Sequence, residues 1–399
     1  MNGEAKPQGP LEGIRVIDLT SVVFGPYATQ IMADMGAEVI KVEPPAGDNT
    51  RWITEGPVPG MGGIYVNVNR GKKGVMLDLR QREDKARLEA LVASADVFIH
   101  SMRGSAIAKL GFDYEAVRAL RPDIVYTNCY GYSRRGPEAD KPAYDDTIQA
   151  ECGIPYVQGL MNGEPGYVAT IMADKVAGLH ALYATMMALF HRERTGEGQE
   201  VEVTMFEAMA SFMLVEHANG AMFSPPTTPA HYHRAVERNR RPYKTKDGYV
   251  AALVYNDKHW NAFIEAVKPA WASEEFSTLE KRARQIGRVY GLLGETFATR
   301  TTQEWLDTLR ALHIPCAPLR STDDLLTNPQ LEAIGFFEDV ETPQGPVRFP
   351  GVPTWFSRTP GRVAGPAPML GEDNAAVFAE LDEWNEAFAE LTGTDGVTK

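Results

Sequence analysis

The most chemically suggestive residue of this sequence is one carboxylate at the start of a long apolar segment. Asp174 precedes the stretch KVAGLHALYATMMALF, whose spacing of apolar residues predicts a helix. Aspartate at a helix start commonly caps free backbone N–H groups, which is the simpler interpretation. A carboxylate in apolar surroundings is also a good nucleophile, with backbone donors beside it for oxyanions. The sequence is compatible with both roles.

Basic residues form two clusters in a chain whose formal net charge is −13. The clusters lie in NVNRGKKGVMLDLRQR and MRGSAIAKLG. Such runs are usually solvated surface. Both nevertheless lie near predicted strand ends, where open α/β sheets bind ligands. A solvated surface and a phosphate site therefore remain alternatives for Arg70, Lys72, Lys73, Arg80, Arg82, Arg103 and Lys109.

Several familiar site patterns are missing from the sequence. The turn TSVVFGPYATQ lacks the G-x-G-x-x-G pattern of dinucleotide-binding folds, so we reject a nicotinamide cofactor and interpret Glu43 as structural. The histidines lack metal-ligand spacing, and we predict no metal site. No G-x-S-x-G sequence for a hydrolase serine is present.

Composition predicts a cytoplasmic protein of two domains. Its 399 residues exceed the usual size of one core. No apolar run reaches the roughly 18 residues of a membrane span, and the first residues lack the pattern of a signal peptide. The 3 scattered cysteines fit a reducing compartment. The negative charge argues against nucleic acid or an anionic membrane as partner.

The elements that must position these residues alternate between strands and helices. Predicted strands are IRVIDLT, EVIKVE, KGVMLDL, ADVFIHS, DIVYTNCYG and QEVEVTM, and helical patterns separate them. This alternation predicts an α/β domain with a mainly parallel sheet. After residue 224, SPPTTPAHYHRAVERNRRP lacks periodicity, and YKTKDGYVAALV predicts a hairpin. We therefore expect a large domain (1–224), a smaller domain (225–330) and a C-terminal segment (331–399) that returns to the large domain.

The sequence resembles the class III coenzyme A transferases, also called the CaiB/BaiF or formyl-CoA transferase family. The resemblance rests on the order and spacing of LEGIRVIDLTSVVFGPYATQIMADMGAEVIKVEPPAGDNTR, NRGKKGVMLDLR, ADVFIHSMRGSAIAKLGFDYEAVRALRPDIVYTNCYGYS, YDDTIQAECG, ADKVAGLHALYATMMALFHRERTGEGQEVEVTMFEAM and PMLGEDN. It implies a Rossmann-like large domain, a smaller inserted α+β domain and an interlocked homodimer. It also implies acyl-CoA and a carboxylic acid as substrates, with no permanently bound cofactor.

The resemblance also implies roles for individual residues. The family's nucleophilic Asp corresponds to Asp174, which would form a mixed anhydride and then an aspartyl-CoA thioester. Tyr130, Tyr132 and Tyr144 would line the acyl site. CoA contacts would come from Val22, Leu77, Arg80, Met102 and Lys109, with Lys72 and Lys73 as phosphate neighbours.

Two departures from the family pattern affect substrate binding. Pro44 stands where some members place an adenine-binding Arg. No GGGGQ-like loop is present, so we do not expect oxalate as the acceptor. An Arg-rich loop takes its place, and guanidinium groups suit a carboxylate-bearing acyl group. This loop contains His231, His233, Arg234, Arg238, Arg240 and Arg241.

Two other functions are weighed against CoA transfer. An α-methylacyl-CoA racemase would have a His before the YDD aspartates, where this chain has Tyr144, and a phenol is a poor base near neutral pH. A non-catalytic acyl-CoA-binding protein would not need Asp174 and its flanking AD-x-x-AG residues.

Overall fold

The computed structural model describes residues 9–392 and divides the chain into two compact units. The first unit contains the residues up to 152, residues 169–211 and those from 332 onward; the second contains 153–168 and 212–331. The predicted boundary at 224 therefore differs from this division, because 212–224 and 153–168 belong to the second unit. The ends of the predicted terminal segments, 1–8 and 393–399, lie outside the described residues.

A six-stranded parallel sheet organises the first unit. Its strand order is β3-β2-β1-β4-β5-β6, and every neighbouring pair is parallel. The predicted α/β class is confirmed, and each predicted strand corresponds to one strand of this sheet. The strands are β1 (Arg15–Leu19), β2 (Glu38–Glu43), β3 (Lys73–Met76), β4 (Val97–His100), β5 (Val125–Tyr130) and β6 (Gln199–Thr204).

The central strands form this sheet because they are apolar on both faces. Ile17, Phe98 and Tyr126 are fully or almost fully buried, as expected for a sheet covered by helices on each side. The chain reverses its direction of strand addition between β1 and β4, which lie side by side. In open α/β sheets, ligands bind beyond the carboxyl ends of the strands at such a switch point.

The α-helices of the described chain connect these strands and build most of the second unit. In chain order they are α1 (Phe24–Asp34), α2 (Gly63–Asn69), α3 (Arg82–Ala93), α4 (Gly104–Leu110), α5 (Tyr114–Leu120), α6 (Asp145–Glu151), α7 (Ile154–Asn162), α8 (Met172–Thr195), α9 (Met205–His217), α10 (Asp257–Val267), α11 (Leu279–Arg284), α12 (Ile286–Phe297), α13 (Thr302–Ala311), α14 (Asp323–Leu326), α15 (Pro329–Ala333) and α16 (Asn374–Thr392).

The second unit has its own sheet and its own apolar core. Strands β7 (Tyr243–Lys244), β8 (Tyr249–Ala252) and β9 (Cys316–Pro318) pair antiparallel. The predicted hairpin between β7 and β8 is confirmed. Helices pack around a core that includes Phe263, Phe297 and Trp305. In the first unit, a further antiparallel pair consists of β10 (Phe337–Val340) and β11 (Val347–Pro350).

Candidate active site

Asp174 lies inside the first turn of α8, two residues after its first helical residue. The N-cap position belongs to Ile171, so the interpretation of Asp174 as the cap is wrong. Asp145 of α6 satisfies this helix end instead: its Oδ1 accepts hydrogen bonds from the backbone N of Ala173 (2.7 Å) and of Asp174 (3.3 Å). The carboxylate of Asp174 is therefore not occupied in capping its own helix.

The Asp174 carboxylate meets the N-terminus of a second helix. Its Oδ1 accepts a hydrogen bond of 3.1 Å from the backbone N of Phe24, the first residue of α1. The residue is only 8% exposed. Burial, with a smaller contribution from the nearby Asp145 charge, raises the pKa of Asp174 to about 6. The hydrogen bond from the Phe24 N–H favours the ionised form and opposes part of this rise.

A glycine allows α8 to approach α1 this closely. A Cβ on Gly178 would lie 2.8 Å from the carbonyl oxygen of Phe24 and 3.1 Å from Cδ1 of Tyr27. Gly178 is one helical turn after Asp174, so it faces α1 on the same side of α8. Any larger side chain here would separate the two helices and lengthen the hydrogen bond from Phe24 to Asp174.

The loop between β1 and α1 has a strained conformation, held by two buried charges. Val22 has φ +68°, which is rare for a β-branched residue. Its backbone N donates to both carboxylate oxygens of Asp48 (3.2 and 3.3 Å). Lys41 Nζ donates to Asp48 Oδ2 (3.0 Å) and to the carbonyl of Thr20 (2.9 Å). The buried pair thus fixes the loop that leads to Phe24.

Asp174 opens into an inner cavity of about 260 Å³ at the carboxyl ends of β1, β4 and β5. This is the switch point of the sheet. Arg103 lines the cavity and forms no ion pair with any described residue. Lys141 also lines it and pairs with Glu138 and Glu151. The cavity therefore combines a buried carboxylate with cations able to attract an anionic ligand.

A larger outer cavity of about 650 Å³ adjoins the inner one. Both are lined by Ser21 and Asn49. The outer cavity lies beyond β1, β2 and β3, and its walls are mainly apolar. Pro44 forms part of its wall, as do three residues predicted to contact CoA, namely Leu77, Arg80 and Met102.

The structure brings together most, but not all, of the predicted site residues. Val22, Tyr130 and Tyr144 line the inner cavity with Asp174. Tyr132 lines neither cavity, because it is buried and its hydroxyl donates to Glu151 Oε2 (2.7 Å). The remaining predicted residues outside both cavities are Lys72, Lys73 and Lys109.

The assignment of Lys72 as a phosphate neighbour requires correction. Its ammonium is completely buried and donates to Asp18, Thr29, Asn69 and the carbonyl of Pro26, at 2.8 to 3.1 Å. A phosphate would have to displace these partners, so Lys72 is a structural residue.

Lys73 and Lys109 line neither cavity, and their predicted contacts with CoA stay predictions. Lys73 forms ion pairs with Glu38 and Glu380. Lys109, near the end of α4, is exposed. Of the cations in the two clusters, Arg80 and Arg103 line the cavities.

Sequence reasoning missed the residues that position Asp174 rather than contact a ligand. Asp145, Gly178, Asp48 and Lys41 act through contacts between segments far apart in the chain. The only signal was their presence in the stretches that carry the family resemblance.

Among the side chains that the structure describes within residues 9–392, no group of three His, Cys, Asp or Glu has metal-binding geometry. No helix in that part of the chain combines the length and apolarity needed to cross a membrane.

Comparisons with known proteins identify relatives of this chain. Residues 11–374 match the model of CoA-transferase family III. The chain is 32% identical to a succinate–glutarate CoA-transferase from Agrobacterium fabrum, over 94% of this chain and 96% of the relative. It is 32% identical to an acetyl-CoA:oxalate CoA-transferase from Acetobacter aceti, over 94% and 97%.

Solved structures share the fold as well. A CaiB/BaiF family protein from Brucella suis superposes with a TM-score of 0.80 at 31% identity, covering 94% of this chain and 100% of that one. The match to the family model extends across both units described above. The chain belongs to CoA-transferase family III.

Proposed function

We propose that the chain transfers CoA through covalent intermediates on Asp174. The carboxylate attacks the thioester carbonyl of an acyl-CoA, forming an acyl-aspartyl anhydride and releasing CoA thiolate. The thiolate attacks the aspartyl carbonyl of the anhydride, giving an aspartyl-CoA thioester and the free first acid. The acceptor carboxylate then attacks this thioester, and the released thiolate attacks the acceptor's carbonyl in the new anhydride. The products are the second acyl-CoA and the regenerated Asp174 carboxylate.

The observation that carries this proposal is the setting of the Asp174 carboxylate. It lines a cavity, it is largely shielded from water, and Asp145 rather than Asp174 caps α8. A weakly hydrated carboxylate is a stronger nucleophile than a hydrated one. The Phe24 N–H at the start of α1 is a fixed donor beside the reacting oxygens, as stabilisation of a developing oxyanion requires.

The two adjoining cavities support one placement of acyl-CoA. The adenosine would occupy the outer cavity, against Leu77 and Met102. Arg103, which has no carboxylate partner among the described residues, would meet the pyrophosphate. The thioester would then reach Asp174 in the inner cavity. Pro44 in the outer wall offers an apolar contact to adenine where some family members use an arginine.

The proposed acids are small carboxylic acids, and the named relatives define the first ones to test. The assay should use succinyl-CoA and acetyl-CoA as donors and glutarate and oxalate as candidate acceptors, because two relatives are named for these acids. Transfer to glutarate but not to oxalate would agree with the missing GGGGQ-like loop.

Intact mass spectrometry after incubation with succinyl-CoA tests the covalent mechanism. We expect a CoA-sized adduct that borohydride reduces and peptide mapping assigns to Asp174. The adduct should be absent in Asp174→Ala and present in Asp146→Ala, which removes an exposed carboxylate of α6. Full turnover by Asp174→Asn would overturn the proposal. Exchange of the α-proton of an acyl-CoA in D₂O without any acceptor acid would indicate racemase chemistry instead.

We also propose that the protein is an interlocked homodimer. Helix α8 carries an exposed row of apolar residues at helical spacing, and two of them, Met187 and Phe190, are 65% and 63% exposed. Leu179 and Tyr183 continue this row toward the start of the helix. Apolar rows of this kind on a folded unit commonly mark a protein interface.

A further inference from the structure

The Arg-rich loop of the second unit contains one arginine that differs from the rest. Arg241 donates through Nε to the carbonyl of Arg238 (2.9 Å), and Arg240 donates through Nη1 to the carbonyl of Ala235 (3.4 Å). Both side chains, and that of Arg238, belong to exposed residues. Arg234 is instead partly buried, and its Nε donates to the hydroxyl of Tyr290 (2.7 Å).

Arg234 lines a cavity of about 190 Å³ that lies entirely within the second unit. Its guanidinium carbon lies 4.5 Å from the centre of the Tyr255 ring, so the group is held by a ring contact to Tyr255 and a hydrogen bond to Tyr290. Among the described residues, no carboxylate forms an ion pair with Arg234, and its hydrogen-bond partners are the hydroxyls of Tyr290 and Tyr232. A guanidinium has five N–H donors, so those that the two tyrosines do not use are available for an anion.

The other arginine of the cavity is not available to a ligand. Arg282 is buried, and it donates to Asp257 Oδ1 (2.6 Å) and to the carbonyls of Phe276 (2.9 Å) and Tyr255 (3.2 Å). It therefore fixes the cavity wall. Arg234 is the cation of this cavity whose charge is not already paired within the described chain.

The other lining residues determine the size and polarity of the part of the ligand that lies beyond its carboxylate, which we call its body. Apolar surface predominates in the lining, and its aliphatic side chains include Leu279 of α11 and Ile286 and Val289 of α12. Pockets for drug-sized molecules have about 300–1,000 Å³, so this cavity suits a smaller molecule. An apolar body would bury against these walls while an attached carboxylate reached the guanidinium.

We propose that this cavity is a binding site for a small organic carboxylate with an apolar or aromatic body, whose carboxylate binds Arg234 in a bidentate manner. Tyr290 positions the guanidinium through the hydrogen bond to Nε. Every residue that lines the site belongs to the second unit.

Fluorine NMR of the full-length protein with 4-fluorobenzoate tests this site. We expect saturable binding that weakens at least about tenfold in Arg234→Gln, since a charged, bidentate contact is lost. The matched variant Arg238→Gln, in the same loop, should bind as the parent does. Asp174→Ala should also bind normally, which separates this site from the inner cavity.

Two further probes test the chemistry of recognition. 4-Fluorobenzamide, which has the same body without the charge, should bind at least about tenfold more weakly, and so should fluoroacetate, which lacks the body. Tyr290→Phe should weaken 4-fluorobenzoate binding without abolishing it. The proposal is wrong if 4-fluorobenzoate does not bind, if Arg234→Gln binds it unchanged, or if the amide binds as tightly.

Discussion

At the scale of single residues, the proposed chemistry depends on a carboxylate in an unfavourable environment. Asp174 is buried near the carboxylate of Asp145 and accepts one hydrogen bond from a backbone N–H. These surroundings oppose ionisation and raise the pKa of Asp174 to about 6. The group is thus ionised near neutral pH, yet poorly solvated. Perturbed ionisation of this kind in a cavity is typical of a reacting group.

The first prediction concerns the pH dependence of transfer. Only the carboxylate form of Asp174 can attack a thioester, and its pKa is raised to about 6. We expect kcat/KM for the acyl-CoA to be constant above that pH and to fall about tenfold per pH unit below it. Initial rates between pH 4.5 and 8.5 measure this profile.

Asp145→Asn provides the matched test of this assignment. The amide oxygen can still accept from the N–H groups of Ala173 and Asp174, but the Asp145 charge, which adds to the effect of burial on the Asp174 pKa, is gone. The fall of kcat/KM at low pH should therefore begin at a lower pH, while the helix end stays capped. A pH profile that is identical in parent and variant would show that another group controls this fall.

The second prediction is that removing this charge stabilises the fold. The ordinary pKa of 3.8 rises to about 6 in the folded protein, so the folded state binds the proton more tightly than the unfolded chain. Ionisation of Asp174 thus destabilises the fold, an effect absent below the ordinary pKa and complete above the raised one. Asp174→Asn should unfold at higher denaturant concentration at pH 8, by about 2–3 kcal/mol in free energy.

Urea unfolding at two pH values distinguishes this effect from a general one. The higher unfolding free energy of Asp174→Asn should disappear near pH 3.5, where Asp174 of the parent is as neutral as the asparagine of the variant. Asp146→Asn, an exposed neighbour on α6, should show no gain at either pH. A loss of stability in Asp174→Asn at pH 8 would contradict the assigned burial cost and indicate a capping role.

At the scale of elements, three helix N-termini and one loop assemble the site. Helix α8 supplies Asp174, α1 supplies the Phe24 N–H, and α6 supplies Asp145. The β1–α1 loop is held by Lys41 and Asp48, so the backbone N–H of Phe24 has a defined position. A strained residue such as Val22 persists only where its surroundings impose the conformation, and such residues are common in functional sites.

The third prediction tests the close approach of α8 and α1. Gly178→Ala places a methyl group 2.8 Å from the Phe24 carbonyl oxygen, so α1 must shift. We expect a loss of about 1–3 kcal/mol in unfolding free energy, and at least about tenfold slower turnover because Phe24 N–H moves away from Asp174. Urea unfolding and steady-state kinetics measure the two effects.

Gly294→Ala in α12 is the control for this substitution. A methyl group there meets only Cδ1 of Tyr243, at 3.8 Å, which is an ordinary contact. Replacing an unstrained helical glycine by alanine should stabilise the protein by up to about 1 kcal/mol without changing turnover. Equal responses of the two variants would show that the α1–α8 contact is not the limiting feature.

At the scale of the whole molecule, the parallel sheet brings distant segments to one edge. The loops after β1, β4 and β5 meet at the switch point, and the Ser101 hydroxyl accepts a hydrogen bond from the backbone N of Ser21 (3.0 Å). The second unit has a separate core and a separate cavity. The apolar row on α8 is exposed among the described residues of the first unit, which is the basis of the proposed homodimer.

The fourth prediction concerns this assembly. Light scattering should give a mass about twice the 44.0 kDa of the chain. Met187→Glu places a charge in the middle of the apolar row and should shift the mass toward that of one chain, with reduced stability. Glu193→Gln, an exposed polar position on α8, should leave the mass unchanged. A parent protein that elutes as a single chain at micromolar concentration contradicts the proposal.

Sequence patterns were sufficient to predict the α/β class, the strands of the sheet and the family. Alternating β-branched strands and amphipathic helices are local patterns, and local patterns can be read without a structure. The sequence also identified Asp174 as the residue on which the chemistry should depend. Cytoplasmic location stays a prediction from composition.

The partners of each charged side chain became clear from the folded chain alone. Lys72 appeared as available as Arg103 in the sequence, but Asp18, 54 residues away, holds its ammonium inside the core. Asp174 was expected to cap α8, but Asp145, 29 residues earlier, accepts the hydrogen bonds from the N–H groups at that helix end. The charge state and availability of a side chain depend on burial and on partners that are distant in sequence. These are properties of the packed chain, which no local pattern contains.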